Sequence, residues 1–345
     1  MREADFRYLI GPEGRARLEQ LTPEDISPAA YLGTASRLRD EVGSEATHAL
    51  LETVDLRQRA AVKFSRADGM LFTREALEQS TGEVVAAYRA AQFARRGFSL
   101  VADLGCGIGG DAIALAESAE VVGVERDPLR LMLTRHNMSV YGREGRFMPV
   151  CADLMELSPF DVDAFFIDPA RRTPNDTHGP RSHRLKSIHD YQPPWSTVEA
   201  WLARAHAAMK VSPGIDYAEL PPGAALEFVS LHGEVKEGIF WFGDLRPNAL
   251  RKATLLPEGL SLATAGEEPG IEVSAPLAFL YEPDGAVIRA HLVRTLAANL
   301  DAKLIDSSIA YLTSDRYQPS PLPEATALSG VSLSVKAFTP VSART

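Results

Sequence analysis

From Ser99 onward the chain alternates short, almost wholly apolar runs with longer stretches in which apolar residues recur every three or four positions. SLVADLG, EVVGVE, RFMPVCAD and VDAFFIDPAR are of the first kind, whereas DAIALAESA and PLRLMLTRHNMSVYG, lying between them, are of the second. Strands covered on both faces read as continuous apolar runs, and strands alternating with helices join in parallel through crossovers. The pattern predicts a doubly wound α/β sheet. Downstream, VEAWLARAHAAMK predicts a helix, and ALEFVSLHG, VKEGIFWFG and KATLLP predict strands that finish the sheet with an antiparallel hairpin.

Upstream the texture is helical. Thr22 before Pro23 and Ser27 before Pro28 are each an N-cap residue followed by proline at the first helical position, so a short helix is expected at each. Ala46, Ala49, Leu50 and Val54 extend a helix from Ser44, and a further one is expected over Arg74 to Arg95. Beyond Pro257 glycine and proline clusters loosen the pattern; FLYEPDGAVIRA predicts a strand-turn-strand with Pro-Asp-Gly as the turn, and HLVRTLAANLDA a helix. Three parts are expected: a helical N-terminal domain over 1–95, the α/β domain over 96–257, and a small α+β C-terminal region over 258–345.

Composition narrows the setting. An apolar content of 45% and a charged content of 24% are those of a globular protein, and no apolar stretch nears the roughly 18 residues that span a bilayer. Cys106 and Cys151 are the only cysteines, too few for a disulfide framework, and the histidines show no metal-ligand spacing. A cytoplasmic protein with no metal and no membrane partner is expected. The net charge of −10 disfavours non-specific coating of nucleic acid, because phosphate binding needs a concentrated positive face. Arg171, Arg172, Arg181, Arg184 and Lys186 leave room for a local basic patch, with a solvated loop as the alternative.

The richest chemistry lies in VADLGCGIGGD, an apolar strand ending in Asp103 and followed by Gly105, Gly107, Gly109 and Gly110. Such glycines let the backbone turn sharply and approach a ligand, with free N–H groups at the following helix start. The spacing also fits a dinucleotide-binding motif with Glu125 as its ribose acid. Three features favour S-adenosylmethionine instead: an acid before the first glycine, a third strand ending in Asp153, and a fourth ending in Asp168-Pro169. Asp103 is matched with the methionine amine, Glu125 with the ribose hydroxyls, and Asp153 with the adenine amine. Cys106 reads as small filler within the loop.

DLGCGIGGD, GVERDP, CAD and FFIDPAR, in this order over about residues 99–175, resemble the cofactor motifs of the class I (Rossmann-like) methyltransferases. Arg126 lies in the second of them and joins the cofactor residues on that ground. KFSRADGMLFTREALEQSTGEVVAAYRA is similar to the segment preceding the cofactor loop in trimethylguanosine synthases, which act on RNA caps; the resemblance implies that Phe72 and Thr73 close over the methionine end. KVSPGIDYAELP, FWFGDLRP and FLYEPDGAVIRA resemble bacterial methyltransferases carrying a C-terminal THUMP-like domain, which implies an RNA substrate. Amino-methylating members carry Pro-Pro and an aromatic after the acid; here Ala170 and Arg171 replace the second proline and the aromatic.

Methyl transfer is an in-line displacement, so positioning is the protein's main task. Asp168 is expected to accept a hydrogen bond from the target nitrogen, Pro169 to fix the turn that aims it, and Arg171 with Arg172 to clamp phosphate. Trp195 reads as a packing residue, with base stacking as the alternative. The function expected is methyl transfer from S-adenosylmethionine to a base in RNA, ribosomal or transfer. A small-molecule or protein methyltransferase and a non-catalytic binding module stand as the other readings.

Overall fold

The computed structural model describes residues 1–169 and 187–316, together with the backbone of Ser334–Lys336. Two compact units divide the chain, Met1–Ala164 and Phe165–Thr345.

The first unit opens with α1 (Glu3–Ile10), α2 (Pro12–Gln20) and the long α3 (Tyr31–Ala60). The short helix expected at Thr22 is present in 3-10 form, whereas the one expected at Ser27 is corrected here. Thr22 does cap, in a reciprocal box with Asp25, but only the single 3-10 turn Pro23–Ile26 follows, and the next helix begins at Tyr31. None of that turn's residues is buried, so no packed face extends it. Gly43, at φ 82°, interrupts α3, and its second half is the helix expected from Ser44.

The single helix expected over Arg74 to Arg95 is instead α4 (Arg74–Gln79) and α5 (Glu83–Ala94). The Lys63 ammonium donates to the carbonyls of Leu77 (2.7 Å) and Ser80 (3.0 Å), satisfying the end of α4, while Gly82 caps α5. A residue distant in sequence thus ends the helix where local periodicity would continue it.

There follow β1 (Leu100–Leu104), α6 (Gly110–Leu115), β2 (Glu120–Glu125), α7 (Pro128–Val140) and β3 (Phe147–Cys151). The strands lie in the order β3-β2-β1, with Leu100 to Leu104 beside Glu120 to Val124 and Val121 to Glu125 beside Phe147 to Cys151, all parallel. Gly123 is obligatory in mid-strand: a Cβ there would stand 2.2 Å from the Phe147 ring.

β4 (Ala164–Ile167) lies at the division. The second unit continues with α8 (Trp195–Leu202), β5 (His206–Val211), β6 (Ala225–Leu231), β7 (Glu234–Phe242), β8 (Arg251–Leu256) and β9 (Leu260–Thr264). Their order is β4-β5-β7-β6-β8-β9, with β7 antiparallel to both neighbours and β6 parallel to β8. VEAWLARAHAAMK is therefore corrected to a helix ending at Leu202 followed by a strand. Burial decides it: Ala207 to Val211 are all buried and paired with β7, which overrides the helix preference of the alanines.

A small antiparallel sheet in the order β11-β12-β10-β13 joins β10 (Phe279–Glu282), β11 (Lys303–Leu304), β12 (Leu312–Ser314) and β13 (Ser334–Lys336), accompanied by α9 (Gly285–Arg289) and α10 (Val293–Asn299). Pro-Asp-Gly, expected as a turn between strands, is a helix start instead. The Asp284 carboxylate accepts from Ala286 N–H at 2.7 Å, and Ala286 and Val287 are buried as α9 packs on β6, β7 and β8.

Candidate functional site

In the first unit the glycine loop leaves β1 with Gly105, Gly107 and Gly109 at φ 92°, 58° and 90°. These left-handed values favour glycine at all three positions. The loop is pinned from both sides. Gly105 and Cys106 N–H donate to the Val124 carbonyl (2.9 and 3.0 Å), while the Thr134 hydroxyl on α7 donates to the Gly107 carbonyl (2.7 Å). A Cβ on Gly107 would meet nothing nearer than the Gly105 carbonyl at 4.0 Å, so its open side faces free space. With only six residues in α6, the shape of this loop matters more than a helix dipole.

Glu125 closes β2 and is buried beside the loop. Its Oε2 accepts from Gly107 N–H (3.1 Å) and its Oε1 from Asp127 N–H (3.0 Å). An ionised carboxylate accepts about four bonds, so these two orient it and leave capacity for a pair of hydroxyls. Asp103, at the end of β1, is 1% exposed. Cys106 is buried against Gly123, and burial first, then the charges of Asp103 and Glu125, push its thiol well above the ordinary range. The protonated thiol is a packing atom, not a nucleophile. Asp153 follows β3 and is half-buried, its Oδ1 accepting from Met155 N–H at 2.8 Å. The Arg126 side chain is exposed.

Phe72 is buried against Phe64, with ring centroids 6.0 Å apart, and the Thr73 hydroxyl caps α4 by accepting from Ala76 N–H at 3.2 Å. Both therefore have local structural work. Their segment is nevertheless tied to the glycine loop by Asn137, which sequence reasoning missed. Its Oδ1 accepts from Leu71 N–H (2.9 Å), and its Nδ2 donates to the carbonyls of Leu71 (3.1 Å) and Ile108 (3.0 Å). Also missed was the buried ion pair of Arg89 on α5 with Asp111 on α6. A lone arginine inside the apolar run VVAAYRAAQFA was the available signal.

Asp168 and Pro169 belong to the second unit, just after β4. The Asp168 Oδ2 accepts from Lys210 Nζ at 2.9 Å, with side-chain exposures of 23% and 7%. Lys210 was legible only as a charge inside the apolar run AHAAMKV. Trp195 packs on Phe242 with centroids 6.3 Å apart. Arg171, Arg172, Arg181, Arg184 and Lys186, and Ala170 with them, lie outside the described residues. Among the described residues no group of acids, histidines and cysteines could hold a metal, and no helix is long and apolar enough to cross a membrane.

The first unit offers a chemical match to an adenosyl amino acid: buried or half-buried acids at three successive strand ends, acceptors for an amine, a diol and an aromatic amine, beside a loop whose open glycine leaves room.

Comparison with known proteins agrees. A family model described as RNA cap guanine-N2 methyltransferase matches residues 98–198, and a domain of unknown function matches residues 3–60. An uncharacterized S-adenosylmethionine-dependent methyltransferase, found in two strains of Mycobacterium tuberculosis, is 36% identical over 287 residues, covering 79% of this chain and 75% of the relative. The crystal structure of a protein assigned as a methyltransferase from Porphyromonas gingivalis W83 aligns over 93% of this chain and 80% of that one, with a TM-score of 0.66 at 21% identity. At that identity the likeness shows the shared fold, a Rossmann-like α/β architecture.

Proposed function

Since the chain belongs to the S-adenosylmethionine-dependent methyltransferases, we propose that the methyl group it transfers goes to a base in RNA. The observation that carries the RNA reading is the match to the RNA cap guanine-N2 methyltransferase family over residues 98–198, which takes in the glycine loop, the three strand-end acids and Asp168.

When bound, S-adenosylmethionine would supply an electrophilic methyl on a sulfonium, the carbon–sulfur bond giving its electrons to a neutral thioether leaving group as the nucleophile bonds to carbon. Asp103 takes the methionine amine, Glu125 the ribose hydroxyls and Asp153 the adenine amine, while Gly105, Gly107 and Gly109 let the backbone come close. Phe72, Thr73 and Arg126 border the same ligand. Asp168 accepts a hydrogen bond from the target nitrogen, keeping the lone pair directed at the methyl carbon; after transfer the nitrogen gives up its extra proton to solvent water. Pro169 restricts the turn, and Arg171 binds substrate phosphate bidentately. Holding the reactants in line is the larger part of the rate.

Incubation with tritiated-methyl S-adenosylmethionine and total RNA lacking the modification, beside Asp168→Ala, tests this reading. Label in RNA that the variant abolishes is the expected result. Cofactor binding with no RNA label overturns it and favours a small-molecule or protein substrate, to which the net charge of −10 is better suited.

A further inference from the structure

β5 is apolar and buried at every position from Ala207 to Val211 except one: Lys210, 6% exposed. Removing an ammonium from water is costly, and an apolar residue of similar volume in place of a buried pair is often as stable or more so. Stability therefore gives no reason for a lysine here. Its ammonium instead reaches the Asp168 carboxylate at 2.9 Å.

The charges that share this unit make that contact matter. By register Ile239 on β7 stands opposite Lys210, with Glu227 on β6 beyond it and Glu237 two positions along β7; both acids are 1% exposed. Glu227 is already neutralised by Lys252 Nζ (3.1 Å) and held by Trp241 Nε1 (2.8 Å) and the Thr254 hydroxyl (2.5 Å). His206 at the start of β5 faces Asp244 at 3.5 Å, and the Tyr191 hydroxyl accepts from Ser212 N–H at 3.0 Å. Among the described residues Lys210 is thus a cation paired with Asp168, on a strand whose neighbours carry the buried acids Glu227 and Glu237.

We infer that Lys210 is a positioning residue for methyl transfer, its ammonium keeping the Asp168 carboxylate ionised and fixing the plane in which it meets the substrate. This rests on the reading of Asp168 as the group that meets the target nitrogen. A carboxylate so paired accepts a hydrogen bond without a strong pull on the proton, which suits a nitrogen whose lone pair must attack. A protonated Asp168 would donate and compete for that lone pair.

The test has two readouts on the full chain. Aspartate carboxyl groups labelled with carbon-13 are titrated in the wild type and in Lys210→Met, the Asp168 signal being assigned by its loss in Asp168→Asn. The expected result is an Asp168 midpoint higher in Lys210→Met by about one pH unit or more. In the RNA methylation assay the acid limb of kcat should rise by the same amount, with S-adenosylmethionine affinity changed less than about twofold. An unchanged midpoint overturns the inference. Should Lys210→Met fail to fold, Lys210→Gln, which keeps an N–H donor and loses the charge, takes its place, and an unchanged midpoint there overturns the inference equally. A wild-type rate in Asp168→Asn overturns the role of Asp168 and this inference with it. Absence of label in wild-type RNA overturns the RNA reading and leaves the titration to decide Lys210.

Discussion

His136 on α7 shows how one side chain couples local packing to solution conditions. It is half-buried, edge-on to Phe6 with centroids 6.2 Å apart, and its Nε2 lies 3.0 Å from the Gly69 carbonyl. Burial, the largest influence, and the cations Arg57 and Arg15 hold its pKa below the usual 6.5, against the opposing pull of Gly69. A base with a depressed folded pKa binds fewer protons folded than unfolded, so its contribution is fully present above 6.5 and is lost as pH falls through the lower folded value. Urea midpoints measured between pH 7.5 and 5 should therefore fall more steeply for the wild type than for His136→Gln, which keeps an N–H donor and cannot charge. Parallel curves would show that His136 has the same pKa folded as unfolded, so that burial does not shift it.

At the scale of elements, Asn137 joins three pieces of chain: α7, the segment ending in Phe72 and Thr73, and the glycine loop. It is fully buried, so removing its amide leaves the Leu71 N–H and the Ile108 carbonyl without that partner. Each buried group left unsatisfied costs about 1–3 kcal/mol. Asn137→Ala should lower stability by about 2–6 kcal/mol on that basis and loosen the loop. Chemical denaturation gives the first quantity and calorimetric titration with S-adenosylmethionine the second. A variant with wild-type values of both would show that the loop is held elsewhere. Gly110 offers a second view of the same packing, since a Cβ there would stand 2.8 Å from the Thr81 carbonyl. The alternation of apolar and helical runs made the strands and most helices legible, because buried strands and amphipathic helices write their faces into the sequence. Helix ends were less legible: α4 stops where Lys63 supplies donors from another element, and α9 starts where Asp284 turns from loop former to cap.

For the whole molecule, cofactor binding and folding are linked, because a ligand that binds only the folded state stabilises it by mass action. At about one hundred times Kd, S-adenosylmethionine should add about 2.7 kcal/mol and raise the melting temperature measurably. A nicotinamide dinucleotide at equal concentration should leave it unchanged. The reverse order would return the glycine loop to the dinucleotide reading that its spacing also permits. Substrate choice belongs to this scale too. With a net charge of −10, the proposed RNA substrate would have to be gripped by a local cluster of cations, and its binding should then weaken steeply with salt.

The sequence by itself determined the cofactor chemistry and the order of strands and helices from β1 to β4. Asp103, Glu125 and Asp153 could be proposed as cofactor residues from the sequence because each closes an apolar run, and strand ends in an open α/β sheet face the ligand. The loop glycines were equally plain, since left-handed backbone leaves its mark on residue choice. Only the tertiary structure decided the partnerships between distant residues: Asn137 with Leu71 and Ile108, Arg89 with Asp111, Lys210 with Asp168. It also decided that HAAMKV is a strand. The physical reason is that hydrogen bonds and ion pairs between elements depend on distance in space, for which spacing along the chain gives no measure, and burial between neighbouring strands outweighs the weak conformational preference of alanine.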